Sequence, residues 1–385
     1  MTPNSATTSA RAKRPKRRPE PEQSRPRQAP RLPGGALDAR VPRLRVRIGS
    51  PTSLLAVIPG LLGFDPGHSI VVIGTEPRTA QVRVTLRYDV PDPRHPEMAV
   101  ALAGHAVSLL EAQGVASVVA VGYGTDAAVS PVAAALRERA ASAGMAVTEL
   151  LRAEGGRYWS YVCADPGCCP PEGTPFDIAG HPAGRALLAA GSQVLADRAA
   201  LAATLAAADG QLGAAMRRAT RESLEQVARC VTRLDDAGMR VTAPRLTATL
   251  GQVAVRDAIR RYRSGESIED RARLAFLAVV LADLRVRDDA WAQMDPRWAG
   301  PHTALWTDIV TGAAPEFVPA PASLLAFTAW QAGDGALANV AAERALAADP
   351  AYSMALLIGG AVQAGLPPSA ARLPMTQEEV AASYD

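Results

Sequence analysis

The chain has 385 residues, of which 48% are hydrophobic, with 41 basic against 38 acidic side chains. This size and composition fit a soluble globular protein of two or three domains. The longest apolar run, from Leu54 to Phe64, is interrupted by Pro59 and Gly60 and is far shorter than the ~20 residues that span a bilayer. No apolar signal segment is present in residues 1–40, and four cysteines do not make the disulfide framework of a secreted protein. The expected location is therefore cytoplasmic, with no membrane contact.

The N-terminal segment is strongly basic. Residues 1–33 carry nine of the 41 basic side chains and two of the 38 acidic ones, so a positive segment precedes a slightly acidic body. Such a segment can bind nucleic acid, but residues 1–33 contain no aromatic side chain to stack on bases. A solvated leader is therefore favoured over a nucleic-acid-binding arm. Residues 1–40 are predicted to be disordered, because their Pro, Arg, Ser and Gln residues bury too little apolar surface.

Residues 41–178 are predicted to form an α/β domain with a mixed sheet, because strand and helix patterns alternate along them. The run from Ser69 to Gly74 is continuously apolar, like a strand buried on both faces. Apolar and polar side chains alternate in the next strand, from Val82 to Asp89, and the short link between the two predicts a hairpin. The other predicted strands are 44–48, 116–121, 145–151 and 157–163, and the predicted helices are 53–62, 97–113 and 131–143.

Residues 180–370 are predicted to form an all-α helical domain, followed by a flexible C-terminus at 371–385. Ala- and Leu-rich stretches with helical spacing cover 183–208, 211–238, 243–264 and 268–285. The sequence SIED at residues 267–270 resembles a capping box and predicts that the last of these helices begins there. The apolar stripe of that helix, which is expected to pack in the core, consists of Leu274, Leu277, Val280, Leu281 and Leu284.

The segment from Leu324 to Pro350 resembles one tetratricopeptide-type helix pair. Gly333 separates its two helical stretches. Small side chains stand where the two helices would approach closely, at Ala326, Ala338 and Ala345. One and a half repeats cannot form a long concave groove, so the pair is interpreted as a packed helical cap rather than as a peptide receptor.

The most distinctive stretch is the aromatic–cysteine segment, residues 155–173. It holds three of the four cysteines and the only Trp of the first 290 residues, in a chain with 4% aromatic residues. Strand alternation sends Trp159 to one face and Tyr158 to the other, so that one set of side chains can face a cleft. Trp and Arg together suit an aromatic or anionic ligand. With the polar face of the strand at 82–89, the candidate ligand-binding residues are Arg157, Tyr158, Trp159, Ser160, Arg87 and Asp89.

The cysteines of this segment leave three interpretations open. Cys163, Cys168 and Cys169, with His181, could bind zinc, but structural zinc sites usually use paired Cys-x2–4-Cys knuckles, and adjacent cysteines rarely both reach one ion. A disulfide from Cys163 to one of the other two is disfavoured by a reducing cytosol. A loop with reduced thiols is therefore favoured. No metal and no cofactor are predicted, and zinc stays the weaker alternative.

Two further motifs give weaker signals. The sequence GYGTDA at residues 122–127 formally fits the dinucleotide fingerprint G-x-G-x-x-A. However, Asp126 would oppose the pyrophosphate charge, and Pro131 predicts a helix start too late for the helix N-terminus to meet the phosphates. An ordinary strand-to-helix turn is favoured. His68 is interpreted as a turn residue rather than a general acid or base, and the sequence contains no G-x-S-x-G elbow, Walker loop or H-E-x-x-H motif.

Three segments together resemble a known family. They are LLGFDPGHS at residues 61–69 with the apolar strand after it, the aromatic–cysteine segment with its run CCPPEG, and VRD at residues 286–288. In these segments the chain is similar to the actinobacterial domain of unknown function 4192, over roughly residues 45–370. The resemblance implies a cytoplasmic context and no particular chemistry.

The function that the sequence favours is that of a regulatory or interaction protein without classical catalytic machinery, because no acid, base and nucleophile set is recognisable. The alternative is a small-molecule-binding protein or an enzyme, with its site where the aromatic–cysteine segment meets the strand ends. Open α/β sheets bind ligands at such crevices. The sequence identifies neither a protein partner nor a small-molecule partner.

Deletion of residues 1–38 should leave the melting temperature nearly unchanged, because this segment contributes little apolar surface to a core. Thermal unfolding of the full and shortened chains, followed by circular dichroism, measures the effect. A drop of many degrees would show that the segment packs against the folded body.

Overall fold

A mixed sheet of six strands forms the centre of the N-terminal half. The computed structural model describes residues 49–76, 81–189, 193–208, 210–236, 243–370 and 376–384. Within these ranges the strands are β1 (Ser69–Thr75), β2 (Val82–Asp89), β3 (Ser117–Tyr123), β4 (Ala146–Glu154), β5 (Arg157–Ser160) and β6 (Thr174–Pro175). Their order is β2-β1-β3-β4-β5-β6, in which β3 and β4 are parallel and the other neighbours antiparallel. The predicted α/β region with a mixed sheet is confirmed.

Helices flank this sheet and then form the rest of the described chain. Those of the sheet region are α1 (Pro51–Leu62), α2 (Pro96–Ala112) and α3 (Asp126–Ser142). Those that follow are α4 (Pro182–Ala189), α5 (Arg198–Ala203), α6 (Gly210–Asp236), α7 (Ala243–Arg263), α8 (Arg271–Val280), α9 (Leu284–Ala292), α10 (Ala299–Gly312), α11 (Pro319–Ala332), α12 (Gly335–Ala348), α13 (Ser353–Gln363) and α14 (Gln377–Tyr384). The predicted helical region is confirmed. Among the described helices, none is both long and apolar enough to cross a membrane.

Strand β1 is buried on both faces, as its continuous apolar sequence predicts. Val71 and Val72 are fully buried. Val72 belongs to the apolar cluster on the side of α2 and α3, with Leu110, whereas Val71 belongs to the cluster on the side of α1, with Leu55. The sheet is therefore the middle one of three layers.

Strands β1 and β2 form a hairpin, as predicted. They pair antiparallel with Ile70 opposite Tyr88, which leaves β2 at one edge of the sheet. The predicted strand at 44–48 lies outside the described residues.

Helix α3 begins at Asp126, so the predicted start at residue 131 is wrong. The prediction took Pro131 as a start signal, but this proline lies inside the helix, where it removes one backbone N–H donor. Val129 and Val132, on either side of the proline, are buried against the sheet, and their burial offsets the lost hydrogen bond. The N-terminus of α3 therefore follows β3 almost directly.

The predicted helix at 268–285 is two helices. Asp270, rather than the predicted Ser267, is the N-cap of α8, and its side chain accepts the N–H of Ala272. The chain turns after α8, and Asp283 is the N-cap of α9. Two aspartates therefore define helix starts in a stretch whose apolar spacing predicts one helix.

The apolar stripe of this stretch is mostly buried. Leu277, Val280 and Leu281 are 0% exposed, as predicted for core residues, and Leu274 is partly buried against the same cluster. Leu284 is 49% exposed, against the prediction, because it opens the second helix rather than continuing the first.

Helices α11 and α12 are joined at Gly333, as predicted. Gly333 ends α11 with a φ of 83°, a left-handed conformation that glycine adopts without strain. Ala326, Ala338 and Ala345 are 0% exposed, so their small side chains lie inside the helical core. The tetratricopeptide-type assignment of this pair stays a prediction.

The last described residues fold onto α9. Residues 377–384, within the C-terminal segment 371–385, form α14; the flexibility of this segment stays a prediction. The hydroxyl of Tyr384 donates to Oδ2 of Asp288 at 2.6 Å, and its ring centroid lies 5.5 Å from the guanidinium carbon of Arg285. Burial and the hydrogen bond to Asp288 raise the pKa of Tyr384 to about 12.

Replacement of Ala345 by Leu should destabilise the protein by about 1–3 kcal/mol, because the larger side chain overpacks a fully buried position. Ala347 is exposed on the same helix, so Ala347→Leu is a matched control that should change the free energy of unfolding by less than about 0.5 kcal/mol. Urea unfolding followed by circular dichroism measures both variants. Parent-like stability of the Ala345→Leu protein would contradict a close helix contact at this position.

Candidate functional site

Residues on neighbouring strands form a row that leads to the aromatic–cysteine segment. Gly122 of β3 lies opposite Arg152 of β4, which lies opposite Trp159 of β5. Residues paired in this way project to the same face of a sheet. A Cβ on Gly122 would lie 2.3 Å from Cγ1 of Val129, so the first turns of α3 pack directly on β3. The row therefore places Arg152 and Trp159 beside the N-terminus of α3.

Arg152 is a buried cation between two carboxylates and an aromatic ring. It is 8% exposed, and its guanidinium carbon lies 3.6 Å from the ring centroid of Trp159. Its Nη1 donates to Oε2 of Glu154 at 2.6 Å, and its Nε lies 3.6 Å from Oδ1 of Asp126. These contacts offset the desolvation of the cation. Arg152 is not among the site residues predicted from the sequence, although a charged side chain between the apolar residues Leu151 and Ala153 of the buried half of β4 is a recognisable signal.

The N-terminus of α3 is occupied by groups of the chain itself. Tyr161 donates its hydroxyl to Oδ1 of Asp126 at 2.9 Å. Burial, together with this hydrogen bond, raises the pKa of Tyr161 well above its usual value, so the hydroxyl stays a donor at neutral pH. The carboxylate of Asp126 would oppose a phosphate here, and Gly122 serves close packing. The dinucleotide interpretation therefore gains no support, even though α3 begins earlier than predicted.

Arg157 and Trp159 hold the thiol loop, which we define as residues 161–173. Nη1 of Arg157 donates to the carbonyl of Gly173 at 2.7 Å and reaches the preceding carbonyl at 3.3 Å. Nε1 of Trp159 donates to the carbonyl of Pro171 at 2.9 Å. Gly173 has a φ of +81°, and a Cβ on it would lie 2.5 Å from Cε2 of Trp159. Two donors that the sequence predicts to bind a ligand thus bind the backbone of the loop.

Ser160 fixes the other end of the thiol loop. Its hydroxyl donates to Oε1 of Glu149 at 3.0 Å. The hydroxyl oxygen of Ser160 in turn accepts the N–H groups of Val162 and Cys163 at 3.3 and 3.2 Å. Ser160 therefore connects β4 to the first residues of the loop, and both ends of the loop are attached to the sheet.

The remaining candidate residues lie away from the thiol loop. Tyr158 packs on the α1 side of the sheet, where its ring centroid lies 6.3 Å from that of Phe176. Arg87 pairs with Asp89, with 2.6 Å between Nη2 and Oδ1, and its Nε donates to Oγ of Ser69 at 2.8 Å. Three strands separate β2 from β5, which corresponds to about 19 Å at the usual strand spacing. The six candidates therefore do not line one pocket.

The thiol loop brings three sulfur atoms together. The Sγ atoms of Cys163, Cys168 and Cys169 all lie within 4.8 Å of one another, and each is a free thiol. The N–H groups of Cys168 and Cys169 both donate to the carbonyl of Asp165, at 3.1 and 2.7 Å. The chain thus turns as in a helix, where successive side chains are about 100° apart rather than opposite. Adjacent cysteines therefore converge here, against the expectation from their spacing.

Two of the three thiols differ in pKa. Hydrogen bonds from the thiol of Cys169 and the N–H of Asp165 lower the pKa of Cys163. The hydrogen bond to Cys163 raises the pKa of Cys169 to about 12. His181, the fourth metal candidate, is not in this group within the part of the chain that the structure describes, and its Nδ1 accepts the N–H of Ala183 at 3.2 Å. The candidate site is a three-thiol cluster on a loop held at both ends.

The other two segments that carry the family resemblance, residues 61–69 and 286–288, also make internal contacts. In the turn at 61–69, His68 adopts a left-handed φ of 52°, and Oδ1 of Asp65 accepts the N–H of Gly67 at 3.2 Å. In α9, Nη2 of Arg287 lies 2.6 Å from Oδ1 of Asp288. The first geometry fits the interpretation of His68 as a turn residue, and the second is a buried ion pair in the helical core.

These features define the class of the protein: an α/β sheet region followed by a helical region, with three thiols on a loop beside the sheet. The family model described as Domain of unknown function (DUF4192) matches residues 51–369, most of the chain, and the chain belongs to this family. The resemblance inferred from its motifs is thereby confirmed. Comparison with curated proteins and with solved structures finds no match. Helix α14 lies beyond the matched range.

Arg157→Gln should loosen the thiol loop, because glutamine cannot hold both carbonyl groups that the guanidinium reaches. The loss of these partly exposed hydrogen bonds costs about 0.5–1.5 kcal/mol, which corresponds to roughly 2- to 10-fold faster amide exchange in the loop. Hydrogen exchange of peptides covering residues 161–173, followed by mass spectrometry, measures this. Arg83 is exposed on β2, and Arg83→Gln should leave the exchange unchanged. Parent-like exchange in the Arg157→Gln protein would show that the hydrogen bonds of Arg157 do not hold the loop.

Proposed function

We propose that this protein is a regulatory or interaction protein that presents the thiol loop to a protein partner, without classical catalytic machinery. The observation that supports this most is that three of the candidate ligand-binding side chains hydrogen-bond to the chain itself. Arg157, Trp159 and Ser160 bond to the backbone of the thiol loop. Their combined effect is to fix one surface loop on a rigid sheet, and loops carried by a rigid scaffold are frequent recognition elements.

The outer surface of the thiol loop suits a protein partner with a basic patch. Val162 is 43% exposed, and the carboxylates of Asp165 and Glu172 stand at the surface of the same loop. A loop that is already fixed loses little conformational entropy on binding. Acidic groups around an exposed apolar side chain favour a partner of complementary charge.

The compartment that we propose is the cytoplasm. The four cysteines are free thiols, and three of them lie close together. Clustered thiols persist where glutathione and thioredoxin keep them reduced, whereas an oxidising compartment favours disulfides.

The alternative function is that of a small-molecule-binding protein or an enzyme at the strand ends. A surface cavity of about 390 Å³ lies beside Tyr161, and its lining includes Pro131, Arg137 and Leu150. This volume is within the range of small-molecule sites. Among the residues that line the cavity, Ser130, Arg137 and Tyr161 carry polar side-chain groups, but the Tyr161 hydroxyl already donates to Asp126, which is why we place this function second.

Photo-crosslinking tests the interaction proposal. A benzoylphenylalanine introduced in place of Val162 should give a discrete product with a cellular protein. The matched control carries the same residue in place of Val253, which is 62% exposed on α7. Glu172→Arg should reduce the product from position 162, because it reverses a charge that we assign to the interface. Equal yields from the two positions, or a product insensitive to Glu172→Arg, would exclude the thiol loop as the interface.

Native mass spectrometry of the purified full chain distinguishes a small-molecule site from the interaction proposal. A small molecule that co-purifies with the parent and is lost in the Tyr161→Ala variant, together with no specific crosslink from position 162, would favour the cavity beside Tyr161. Circular dichroism of the Tyr161→Ala protein checks that it remains folded.

A further inference from the structure

The spacing of the three sulfur atoms matches the coordination shell of a small thiophilic ion. Zn–S bonds of about 2.3 Å in tetrahedral geometry place two sulfur ligands about 3.8 Å apart. The Sγ atoms of Cys163, Cys168 and Cys169 lie within 4.8 Å of one another. Shifts of about 1 Å or less, which side-chain rotations can supply, would therefore bring the three sulfurs to coordination distance of one ion.

The backbone around these thiols is already arranged. The N–H of Cys163 is held by Ser160 at 3.2 Å, and the carbonyl of Asp165 holds the N–H groups of both other cysteines. Oδ1 of Asp165 accepts the N–H of Gly167 at 2.9 Å, which fixes the turn between the first cysteine and the pair. Ligands whose supporting groups are fixed in advance bind a metal with a smaller loss of entropy.

The donor set selects the chemical class of the ion. Thiolates are soft ligands that favour zinc and similar ions over magnesium or calcium, which prefer oxygen. A disulfide would use two of the three sulfurs at about 2.05 Å and leave the third without a role. The geometry of three mutually close thiols is therefore explained better by one shared ion than by one bond between two of them.

We propose that Cys163, Cys168 and Cys169 form a binding site for a zinc-class divalent ion, with the fourth coordination position open to an exchangeable ligand. The group contains three ligand residues in the described part of the chain, and Cys168 is exposed, so solvent reaches the site. Zinc sites with three protein ligands keep a water or another ligand in the fourth position. This site does not depend on whether the thiol loop has a protein partner.

The open position gives the site a property that a closed structural zinc lacks. Three thiolates and one divalent cation leave a net charge of about −1 on the centre when the fourth ligand is neutral. Because Cys168 is exposed, this position is open to a histidine or cysteine from another molecule. The ion is therefore placed to be exchanged or shared rather than buried.

Metal titration of the full chain tests the site. The reduced protein is freed of metal with a chelator and titrated with Co²⁺, whose visible spectrum reports tetrahedral thiolate coordination, and then with Zn²⁺ in competition with a chromophoric chelator. We expect one ion per chain. Each of Cys163→Ser, Cys168→Ser and Cys169→Ser should weaken zinc binding by more than about 100-fold, because loss of a ligand exceeds the 10- to 100-fold effect of a supporting residue.

Cys230, on α6, is the fourth cysteine and lies outside the group, so Cys230→Ser is the matched control and should bind zinc like the parent. His181→Ala should also be unchanged, and a loss of affinity there would contradict the open fourth position. Circular dichroism confirms the fold of each variant. The proposal is overturned if the folded parent binds no zinc at stoichiometric concentrations, or if Cys230→Ser weakens binding as much as the three ligand variants. Zinc binding with no crosslink from position 162 would support this site and reject the interaction proposal.

Discussion

The buried cation of Arg152 determines how the thiol loop is held. A guanidinium in the interior of a sheet needs partners, because an unpaired buried charge costs several kcal/mol. Trp159 covers it from the next strand, while Glu154 and Asp126 supply opposite charge. In this position the indole Nε1 reaches the carbonyl of Pro171. The location of a surface loop thus depends on the electrostatic requirement of one side chain inside the sheet.

The same requirement connects the loop to α3. Asp126 opens this helix and receives the hydroxyl of Tyr161, while its carboxylate also faces Arg152. A change at Arg152 would leave two carboxylates without their cation and remove the support of the Trp159 ring. The effects at β4, at the helix start and at the thiol loop are therefore coupled and are not expected to be additive.

The parts of the fold that could be predicted are those set by local pattern. The hairpin of β1 and β2 follows from a continuous apolar run beside an alternating one, and the end of α11 follows from Gly333. The start of α3 could not be predicted from Pro131, because burial of Val129 against Gly122 depends on a contact between separate elements. The break between α8 and α9 was missed because apolar spacing alone does not show which aspartate caps a helix.

For the candidate site, the sequence singled out the aromatic–cysteine segment but did not show what its side chains bind. Arg157 and Trp159 were recognisable as hydrogen-bond donors, yet their acceptors are main-chain carbonyls more than ten positions further along the chain, which no pattern of side chains reveals. The convergence of Cys168 and Cys169 depends on a turn closed by the carbonyl of Asp165. The Cys-x2–4-Cys spacing rule describes the knuckles of known zinc sites, and the turn at residues 165–169 is not one of them.

Arg157 and Trp159 hold the thiol loop through hydrogen bonds to main-chain carbonyls. The path of the backbone therefore depends little on which side chains the loop carries. Pro171 and Glu172 offer their carbonyls to Trp159 and Arg157, so the side chain at position 172 can change in charge or size while the path of the backbone is retained. Gly173 is the exception, because the indole ring leaves no room for a Cβ there. A loop built in this way can vary its exposed side chains while keeping its sulfur atoms in place.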